Sequence, residues 1–256
     1  MKTTFVFIGG GSGSGKTTLS TLLDARLIEQ GKTCATIKMD DYFHEKPERI
    51  DLKKYQDETI FDTPEMLYLD ELRQHLLDLH KGQSIAKPIF NFATSRRNGT
   101  DVIPSSDVII VEGIFALEFA KKWLLSDEIF TLTVNVETSS YLEIVKRRVQ
   151  RNIRDYQQNK DWVIQQERMS VGPGFFKYTA AGALDVDISL LNDSATQSNG
   201  TVGLDALNTT VGTIIIQLNQ IIGSLIPLAR KLSPDVKQVV INSHAGDNPV
   251  DFIFRQ

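Results

Sequence analysis

The hydrophobic residues of the N-terminal half follow two different spacings in turn. Phe5 to Ile8 form a short apolar run that ends in glycines, which is typical of a buried parallel strand. From Gly15 to about Gln30 leucines recur three and four residues apart, and this spacing predicts a helix that Gly31 ends. Thr33 to Met39 then favours a second strand. This order of elements indicates a parallel sheet.

The alternation continues beyond a long polar segment at residues 40–63. Leucines between Pro64 and His80 predict one helix, with Thr63 as its cap. Val108 to Val111 and Ile129 to Val136 predict two more strands, and Ser139 to Tyr156 predicts a charged helix. We therefore expect an α/β fold: a doubly wound, mainly parallel sheet with helices on both faces. Its ligands should lie beyond the carboxyl ends of the strands.

The C-terminal part carries weaker signals. Asn192 to Gly200 is polar and predicts a loop, whereas apolar residues from Leu204 to Leu225 recur at helical spacing. Gln238 to Ile241 and Val250 to Phe254 predict two short strands around a turn. We expect residues 1–256 to form a single domain, with an extension of unknown role at about 192–256.

Composition excludes some classes of protein. The formal net charge is −4, whereas proteins that hold nucleic acid usually carry a basic excess, so we expect no nucleic-acid partner. Polar residues interrupt the most apolar stretch, Val202 to Ile226, which argues against a membrane span. No secretory signal is visible, so we expect a cytoplasmic enzyme without a membrane partner.

Residues 10–17 match the phosphate-binding pattern G-x-x-x-x-G-K-[ST] at every position. Glycines allow backbone N–H groups to face phosphate oxygens, and the following helix adds its positive end. A flexible Gly/Ser turn is the alternative, but a strand precedes the motif and a helix follows it. We expect the P-loop to bind ATP through Gly10, Gly11, Ser12, Gly13, Ser14, Gly15, Lys16, Thr17 and Thr18.

Two acidic positions follow predicted strands. Glu112 ends the Val108 run, where with Thr17 it would hold Mg²⁺; an ordinary acid at a strand end is the alternative. Asp40 and Asp41 follow the second strand, across the expected cleft from the P-loop. If a hydroxyl accepts the γ-phosphoryl group of the bound ATP, we expect Asp40 to take the proton of that hydroxyl. A loop start or a helix cap would also explain the pair.

Positive charge near the transferred group comes from one predicted helix. Arg147 and Arg151 are four residues apart, and Arg148, Arg151 and Arg154 follow one another at intervals of three, so at least two share a face. We expect a lid at about 146–170 that closes over the phosphates, with a solvated helix surface as the alternative. A GTPase is disfavoured because the chain contains no Asp-x-x-Gly and no correctly spaced guanine motif.

At this point the chain resembles the uridine kinase branch of the phosphoribulokinase/uridine kinase family, from Phe5 to about Ile188. The P-loop alone is common to many enzymes, whereas the ordered set of motifs is far more specific. Five segments carry the resemblance: Gly9 to Thr18, Met39 to Phe43, Phe61 to Glu65, Pro88 to Arg97 and Val108 to Leu117.

The resemblance implies an ATP- and Mg²⁺-dependent kinase that phosphorylates the 5′-hydroxyl of a nucleoside, with uridine or cytidine as the leading candidates. It implies that Asp40 is the base and that Lys16, Arg148 and Arg151 assist the transfer. Asp62 would bind the ribose hydroxyls, although it could also be a cap, and the aromatic residues could belong to the core. The implied substrate-binding residues are Asp62, Phe61, Phe90, Phe92, Arg97 and Gln166.

Four positions depart from the family pattern. Ser95 replaces a histidine that reads the pyrimidine, Gln158 an arginine, Gly172 a lysine and Asn152 an acid. These changes leave the ATP motifs intact but affect acceptor choice. Alternatives are therefore a kinase of another alcohol, such as a sugar phosphate or a pantothenate-like molecule, and a non-catalytic ATP-binding regulator. The family likeness also favours a homo-oligomer.

Overall fold

The computed structural model describes residues 3–45, 62–122, 130–192, 238–242 and 251–255. Its centre is a parallel sheet of five strands in the order β2-β5-β1-β6-β7. Two antiparallel hairpins, β3-β4 and β8-β9, lie outside this sheet. The strands are β1 (Thr4–Gly9), β2 (Cys34–Lys38), β3 (Ile85–Asn91), β4 (Arg96–Ile103), β5 (Val108–Glu112), β6 (Phe130–Glu137), β7 (Ile188–Leu191), β8 (Gln238–Asn242) and β9 (Asp251–Arg255).

The helices connect these strands and continue beyond them. They are α1 (Lys16–Glu29), α2 (Leu69–His80), α3 (Ala116–Lys122), α4 (Tyr141–Tyr156), α5 (Lys160–Gln166), α6 (Gly172–Gly174) and α7 (Ala180–Gly182). Two π-helical turns, Glu167–Val171 and Phe175–Thr179, join α5 to α6 and α6 to α7. The chain is therefore helical from 160 to 182. Within the described residues, no helix combines the length and the apolar character needed to cross a membrane.

Both faces of the sheet are covered, as the sequence predicts. Phe5 and Phe7 point to one face and pack in a cluster with α2 and α3. Val6 and Ile8 alternate with them and pack against α1 on the other face. All four side chains are fully buried. The predicted doubly wound α/β fold is thereby confirmed.

Reciprocal hydrogen bonds fix the register of two strand pairs. Thr33 donates its N–H and its hydroxyl to Asp107 Oδ2 at 2.9 and 2.8 Å, and Asp107 N–H donates back to Thr33 Oγ1 at 2.8 Å. Thr133 and Asp187 repeat the arrangement between β6 and β7. Glu112 lies opposite Lys38 in the β2-β5 pair and opposite Ile8 in the β1-β5 pair, so the carboxyl ends of β1, β2 and β5 meet at one edge.

One predicted helix is wrong at its start. Pro64–Met66 form a 3₁₀ turn, Thr63 makes no capping hydrogen bond, and α2 begins only at Leu69. The break occurs because Leu67 pairs with Phe43 in an isolated β-bridge, and Tyr68 N–H donates to Tyr42 O at 2.9 Å. Tertiary pairing therefore displaces the helix that the leucine spacing favours.

Other expectations have mixed outcomes. The predicted strands and the helices at 16–29 and 141–156 are present, and the two short C-terminal strands form the β8-β9 hairpin. Hairpin β3-β4 and strand β7 carry no sequence prediction. The Leu204 to Leu225 helix, most of the Asn192 to Gly200 loop and most of the polar segment at 40–63 lie outside the described residues. The single-domain organisation stays a prediction.

Candidate active site

The P-loop connects the end of β1 to the start of α1. Gly10, Gly13 and Gly15 have positive φ angles of 134°, 101° and 108°, which side chains rarely tolerate. A Cβ at Gly10 would also lie 2.1 Å from Val136 O. Ser14 N–H donates to Gly11 O at 3.0 Å and closes the loop. The loop therefore has the wound backbone that presents N–H groups to an anion.

Lys16 is the first residue of α1 and is buried. Its Nζ donates to Gly11 O at 2.9 Å across the loop. Burial lowers the pKa of Lys16, and the negative charges of Glu112 and Asp40 oppose this shift. The ammonium group is thus held at the loop, beside the two acids that sequence analysis singled out.

Thr17 and Glu112 meet at the predicted metal position. The Thr17 hydroxyl lies 3.1 and 3.0 Å from Glu112 Oε1 and Oε2. Glu112 is buried at the end of β5, whereas Thr17 and Thr18 are exposed on the first turn of α1. A hydroxyl and a carboxylate side by side are the oxygen ligands that suit Mg²⁺, so the residues fit this ion.

Asp40 lies in the 3₁₀ turn Met39–Tyr42, directly after β2. Its side chain keeps contact with solvent, although surrounding protein atoms partly desolvate the carboxyl group. This desolvation raises the pKa of Asp40 to about 6; the charge of Lys16 opposes the rise, and nearby acids, including Glu112 and Asp62, add to it. The carboxyl group therefore combines access to solvent with raised basicity.

Asp41 has a different environment from Asp40. Its carboxylate accepts hydrogen bonds from Lys87 Nζ and from Phe90 N–H, the latter at 3.2 Å. Both donors belong to β3, so Asp41 fixes the hairpin to the end of β2. The two adjacent acids therefore differ in their contacts, which the sequence does not show: Asp41 binds β3, whereas Asp40 keeps contact with solvent.

Asp62 lies against the helical segment after α5. The Ser170 hydroxyl donates to Asp62 Oδ2 at 2.7 Å, and Asp62 N–H donates to Ser170 Oγ at 3.2 Å. Burial raises the pKa of Asp62, whereas Ser170 and the charge of Arg148 lower it. Asp62 is close enough to Asp40 for their charges to interact. Phe61, the other predicted residue here, lies outside the described residues.

Three aromatic rings gather near the β3-β4 turn. Phe90 is buried in the core, whereas Phe92 is 61% exposed, and their ring centroids are 5.1 Å apart. Phe43 contacts both rings, at 5.8 and 5.9 Å. Of the two predicted aromatic residues, Phe90 thus anchors the cluster and Phe92 carries its exposed surface.

Arg97, on β4, is held by side chains at the start of α2. Its guanidinium group forms two hydrogen bonds with Glu71, at 3.1 and 2.6 Å, and lies 4.3 Å above the ring of Tyr68. Ser95 sits in the hairpin turn with φ 51°. The structure therefore places Arg97 beside the aromatic cluster but engages its charge with a carboxylate.

The predicted arginines divide into two pairs. Arg147 pairs with Glu143 on its own helix, and the exposed Arg154 pairs with Asp155. Arg148 instead is buried, with a salt bridge to Glu167 at 2.9 Å and a hydrogen bond to Gln166 Oε1. The second pair lies near predicted site residues: the charge of Arg148 acts on Asp62, and the charge of Arg151 acts on Lys16.

Arg151 reaches the P-loop itself. Its Nη2 donates to Ser12 Oγ at 3.2 Å, and the backbone of the same helix packs against Gly13. Arg151 also donates to Asn152 Oδ1, and Asn152 Nδ2 donates to Gln158 Oε1 at 3.0 Å. Two positions that depart from the family pattern are therefore direct partners.

Gly172 and its neighbours show why a longer residue is disfavoured there. A Cβ at Gly172 would lie 3.0 Å from Glu167 O and 3.3 Å from the Tyr141 hydroxyl. Tyr141 also donates a hydrogen bond to Glu167, which in turn pairs with Arg148. Sequence analysis missed both residues, because only the fold brings position 141 to position 167.

Asn192 is a further residue that sequence analysis missed as part of the site. It directly follows β7, and its Nδ2 donates to Ser14 O at 2.7 Å. Its N–H donates to Glu137 O at 2.7 Å, and its side chain leaves no room for a Cβ at Gly15. The only sequence signal was an asparagine directly after an apolar run.

Comparison with known proteins identifies a family for this chain. The Phosphoribulokinase / Uridine kinase family matches residues 5–192. A uridine kinase from Brevibacillus brevis is 30% identical over 218 residues, covering 83% of this chain and 94% of that protein. A uridine kinase from Ureaplasma urealyticum is 31% identical over 188 residues, covering 73% and 86%.

Solved structures with the same fold have more distant sequences. A candidate fructose transport system kinase from a Silicibacter species has a TM-score of 0.61 at 20% identity, covering 73% of this chain and 89% of that one. A D-glycerate 3-kinase from Cryptococcus neoformans has a TM-score of 0.52 at 15% identity, covering 68% and 78%. The family match, the curated relatives and the fold coincide: the chain belongs to the phosphoribulokinase/uridine kinase family.

Proposed function

We propose that the protein transfers the γ-phosphoryl group of ATP to the 5′-hydroxyl of a nucleoside, with uridine and cytidine as the first candidates. The observation that carries the proposal is the meeting of Lys16, Glu112 and Asp40 at the carboxyl edge of the sheet, close enough for each charge to affect the others. Relatives named uridine kinase, similar over most of their length, support a nucleoside as the acceptor.

The P-loop half of the site would bind the nucleotide. Backbone N–H groups of residues 10–17 would surround the phosphates, and the start of α1 would add its positive end. Lys16 would exchange its hydrogen bond with Gly11 O for the β- and γ-phosphates. Mg²⁺ bound near Thr17 and Glu112 would neutralise charge that develops on the phosphate oxygens.

Asp40 would act as the general base. The acceptor oxygen forms a bond to the γ-phosphorus, its proton passes to the Asp40 carboxylate, and the bond from that phosphorus to the leaving ADP oxygen breaks. With a pKa of about 6, the carboxyl group is ionised near neutral pH and is still a stronger base than an ordinary aspartate. Arg148 and Arg151 would stabilise the charge of the transferred group.

The acceptor would lie between Asp40 and Asp62. Asp62 already accepts a hydrogen bond from the Ser170 hydroxyl, so its carboxylate is suited to the hydroxyls of a ribose. The exposed ring of Phe92 would stack against the base, and the buried ring of Phe90 would support the Phe92 ring on its inner side. Gln166 would act through Arg148, whose guanidinium group it contacts.

A different alcohol is the second candidate. The observation that favours it is the environment of the pyrimidine-reading segment: Ser95 replaces the expected histidine in the hairpin turn, and the Arg97 charge is paired with Glu71. A site with fewer polar contacts to a base discriminates less against other acceptors. Sugar phosphates and pantothenate-like alcohols are the classes to compare.

An acceptor panel tests the proposal. The protein would be incubated with ATP and Mg²⁺ and with nucleosides, sugar phosphates or pantothenate, and ADP release and the phosphorylated product would be measured. We expect the largest kcat/KM with uridine or cytidine, and none above background for Lys16→Ala. Turnover only with another alcohol would favour the second candidate. ATP binding without turnover of any acceptor would instead indicate a regulator.

A further inference from the structure

We propose that Asn152 is a positioning residue: its carboxamide group, held by Gln158, orients the guanidinium group of Arg151 toward the P-loop. The inference rests on the proposed function, because it concerns how the charge of Arg151 reaches the phosphates. It adds two residues, Asn152 and Gln158, that the proposed chemistry does not otherwise use.

The first step is the contact between neighbouring side chains. Asn152 is 5% exposed, and its Oδ1 accepts from both Nε and Nη2 of Arg151, at 3.2 and 3.1 Å. Two donors on one edge of a planar group that converge on one oxygen fix the rotation of that group. Arg151 Nη2 then also donates to Ser12 Oγ at 3.2 Å, so the fixed group lies against the P-loop.

The second step concerns the orientation of the carboxamide group. Arginine has only donors, so the atom of Asn152 that faces Arg151 must be its oxygen. The amide nitrogen then faces Gln158, whose Oε1 accepts from it at 3.0 Å. Gln158 is brought back to this position because Gln157 has φ 51° and because Gln158 N–H donates to Asn152 O at 3.1 Å.

The third step is electrostatic. Arg148 is held by the carboxylate of Glu167, which neutralises much of its charge, whereas a neutral amide holds Arg151. The charge of Arg151 therefore remains available: it adds to the burial that lowers the pKa of Lys16, although Glu112 and Asp40 oppose the shift. An acid at position 152 would keep the two contacts but form an ion pair with Arg151.

A purely structural role for Asn152 makes a different prediction. The backbone carbonyl of Asn152, which accepts from N–H groups at the end of α4, is unchanged by a substitution. The Asn152 side chain also donates to Gln158 Oε1, just beyond α4, so it could serve only to fix the turn to α5. In that case its loss would lower stability and weaken the site whether or not Arg151 is present. In our proposal its loss acts only through Arg151.

A double-mutant cycle separates the two roles. Arg151→Ala, Asn152→Ala and the double variant would be compared for the Kd of a non-hydrolysable ATP analogue with Mg²⁺, for kcat and for the acceptor KM. We expect Asn152→Ala to weaken analogue binding and lower kcat by roughly tenfold each, less than the loss of a charge-stabilising group itself would cost. The acceptor KM should stay unchanged, and Asn152→Ala should have no effect once Arg151 is absent.

Further variants keep the cycle decisive. Gln158→Ala should lower analogue affinity and kcat by less than Asn152→Ala does, again only when Arg151 is present. This variant gives a second test if Asn152→Ala folds poorly. Asn152→Asp should weaken analogue binding through charge neutralisation. Gln150→Ala, an exposed amide on the same helix, is the matched control and should behave as the parent protein.

The inference would be overturned if Asn152→Ala lowered analogue affinity and kcat equally in the presence and absence of Arg151. Full activity of Asn152→Ala would overturn it as well. The analogue affinities need no acceptor. If the parent protein phosphorylates nothing in the panel, the proposed function fails, while the coupling between positions 151 and 152 still decides this inference.

Discussion

The two sides of the site differ in what builds them. On the phosphate side, backbone geometry dominates: the wound P-loop follows β1, and Asp40 and Glu112 follow or end neighbouring strands. On the side proposed for the acceptor and the lid, the contacts are between side chains of distant segments, as in Asp62–Ser170 and Arg148–Glu167. All four departures from the family pattern fall on this second side.

The comparison explains why the reaction is easier to infer than the acceptor. A backbone cradle needs glycines and strand ends at fixed positions, and these are visible in the sequence. A surface of side chains can change its contacts without changing the fold, so its specificity can alter while the phosphate chemistry persists. The predictions that follow test this division, beginning with the largest expected effect.

Asp40→Asn should abolish most turnover. Loss of a general base typically costs roughly 10²- to 10⁴-fold in rate, while the P-loop should still bind ATP. Measuring kcat together with the Kd of an ATP analogue separates the two effects. Asp41→Asn is the matched control, because Asp41 binds Lys87 and Phe90 N–H instead; we expect lower thermal stability and retained turnover. Retained turnover in Asp40→Asn would remove it from the reaction.

Glu112→Gln should raise the Mg²⁺ requirement. Loss of an oxygen ligand or of a group that orients one typically weakens metal affinity roughly 10- to 100-fold. The half-saturating Mg²⁺ concentration for turnover should rise, whereas kcat at saturating Mg²⁺ should recover in part. Glu118→Gln, whose carboxylate pairs with Lys122 on α3, provides the control. An unchanged Mg²⁺ dependence would leave Glu112 with only its contact to Thr17.

The rate should fall in mild acid. Because desolvation by surrounding protein atoms raises the pKa of Asp40 to about 6, the carboxyl group binds a proton below that pH and can no longer accept one from the acceptor. We expect kcat/KM for the acceptor to decrease about tenfold per pH unit below about 6. The raised pKa of Asp62 acts in the same direction. A profile that stays flat down to about pH 5 would contradict this assignment.

Phe90→Ala should lower the stability of the protein, whereas Phe92→Ala should weaken the binding of the acceptor. Phe90 is buried, so its truncation should cost about 3–5 kcal/mol of unfolding free energy. Phe92 is 61% exposed, so its truncation should leave stability nearly unchanged and raise the nucleoside KM about two- to tenfold, the size of one aromatic contact. Denaturant unfolding and acceptor kinetics measure the two effects. An unaltered KM for Phe92→Ala would exclude that ring from the acceptor site.

Local pattern was a good guide where one interaction dominates. The strand runs identified β1, β2, β5 and β6, the leucine spacing identified α1 and the glycine motif identified the P-loop, because each is specified by its own residues. The predicted start of α2 was wrong because Leu67 and Tyr68 pair with the segment after β2 instead of continuing a helix. Asn192 went unnoticed as a P-loop partner because its contact spans 178 positions.

The sequence by itself determined four of the five strands of the central sheet, the phosphate-binding loop and the two acids at strand ends, since glycine content and apolar periodicity act over a few residues. Only the tertiary structure revealed that Asp41 binds Lys87 and Phe90 N–H, that Arg151 contacts Ser12 and that Asn152 joins Arg151 to Gln158. These distinctions depend on distances between segments that the chain brings together only when its core packs, and no local pattern encodes those distances.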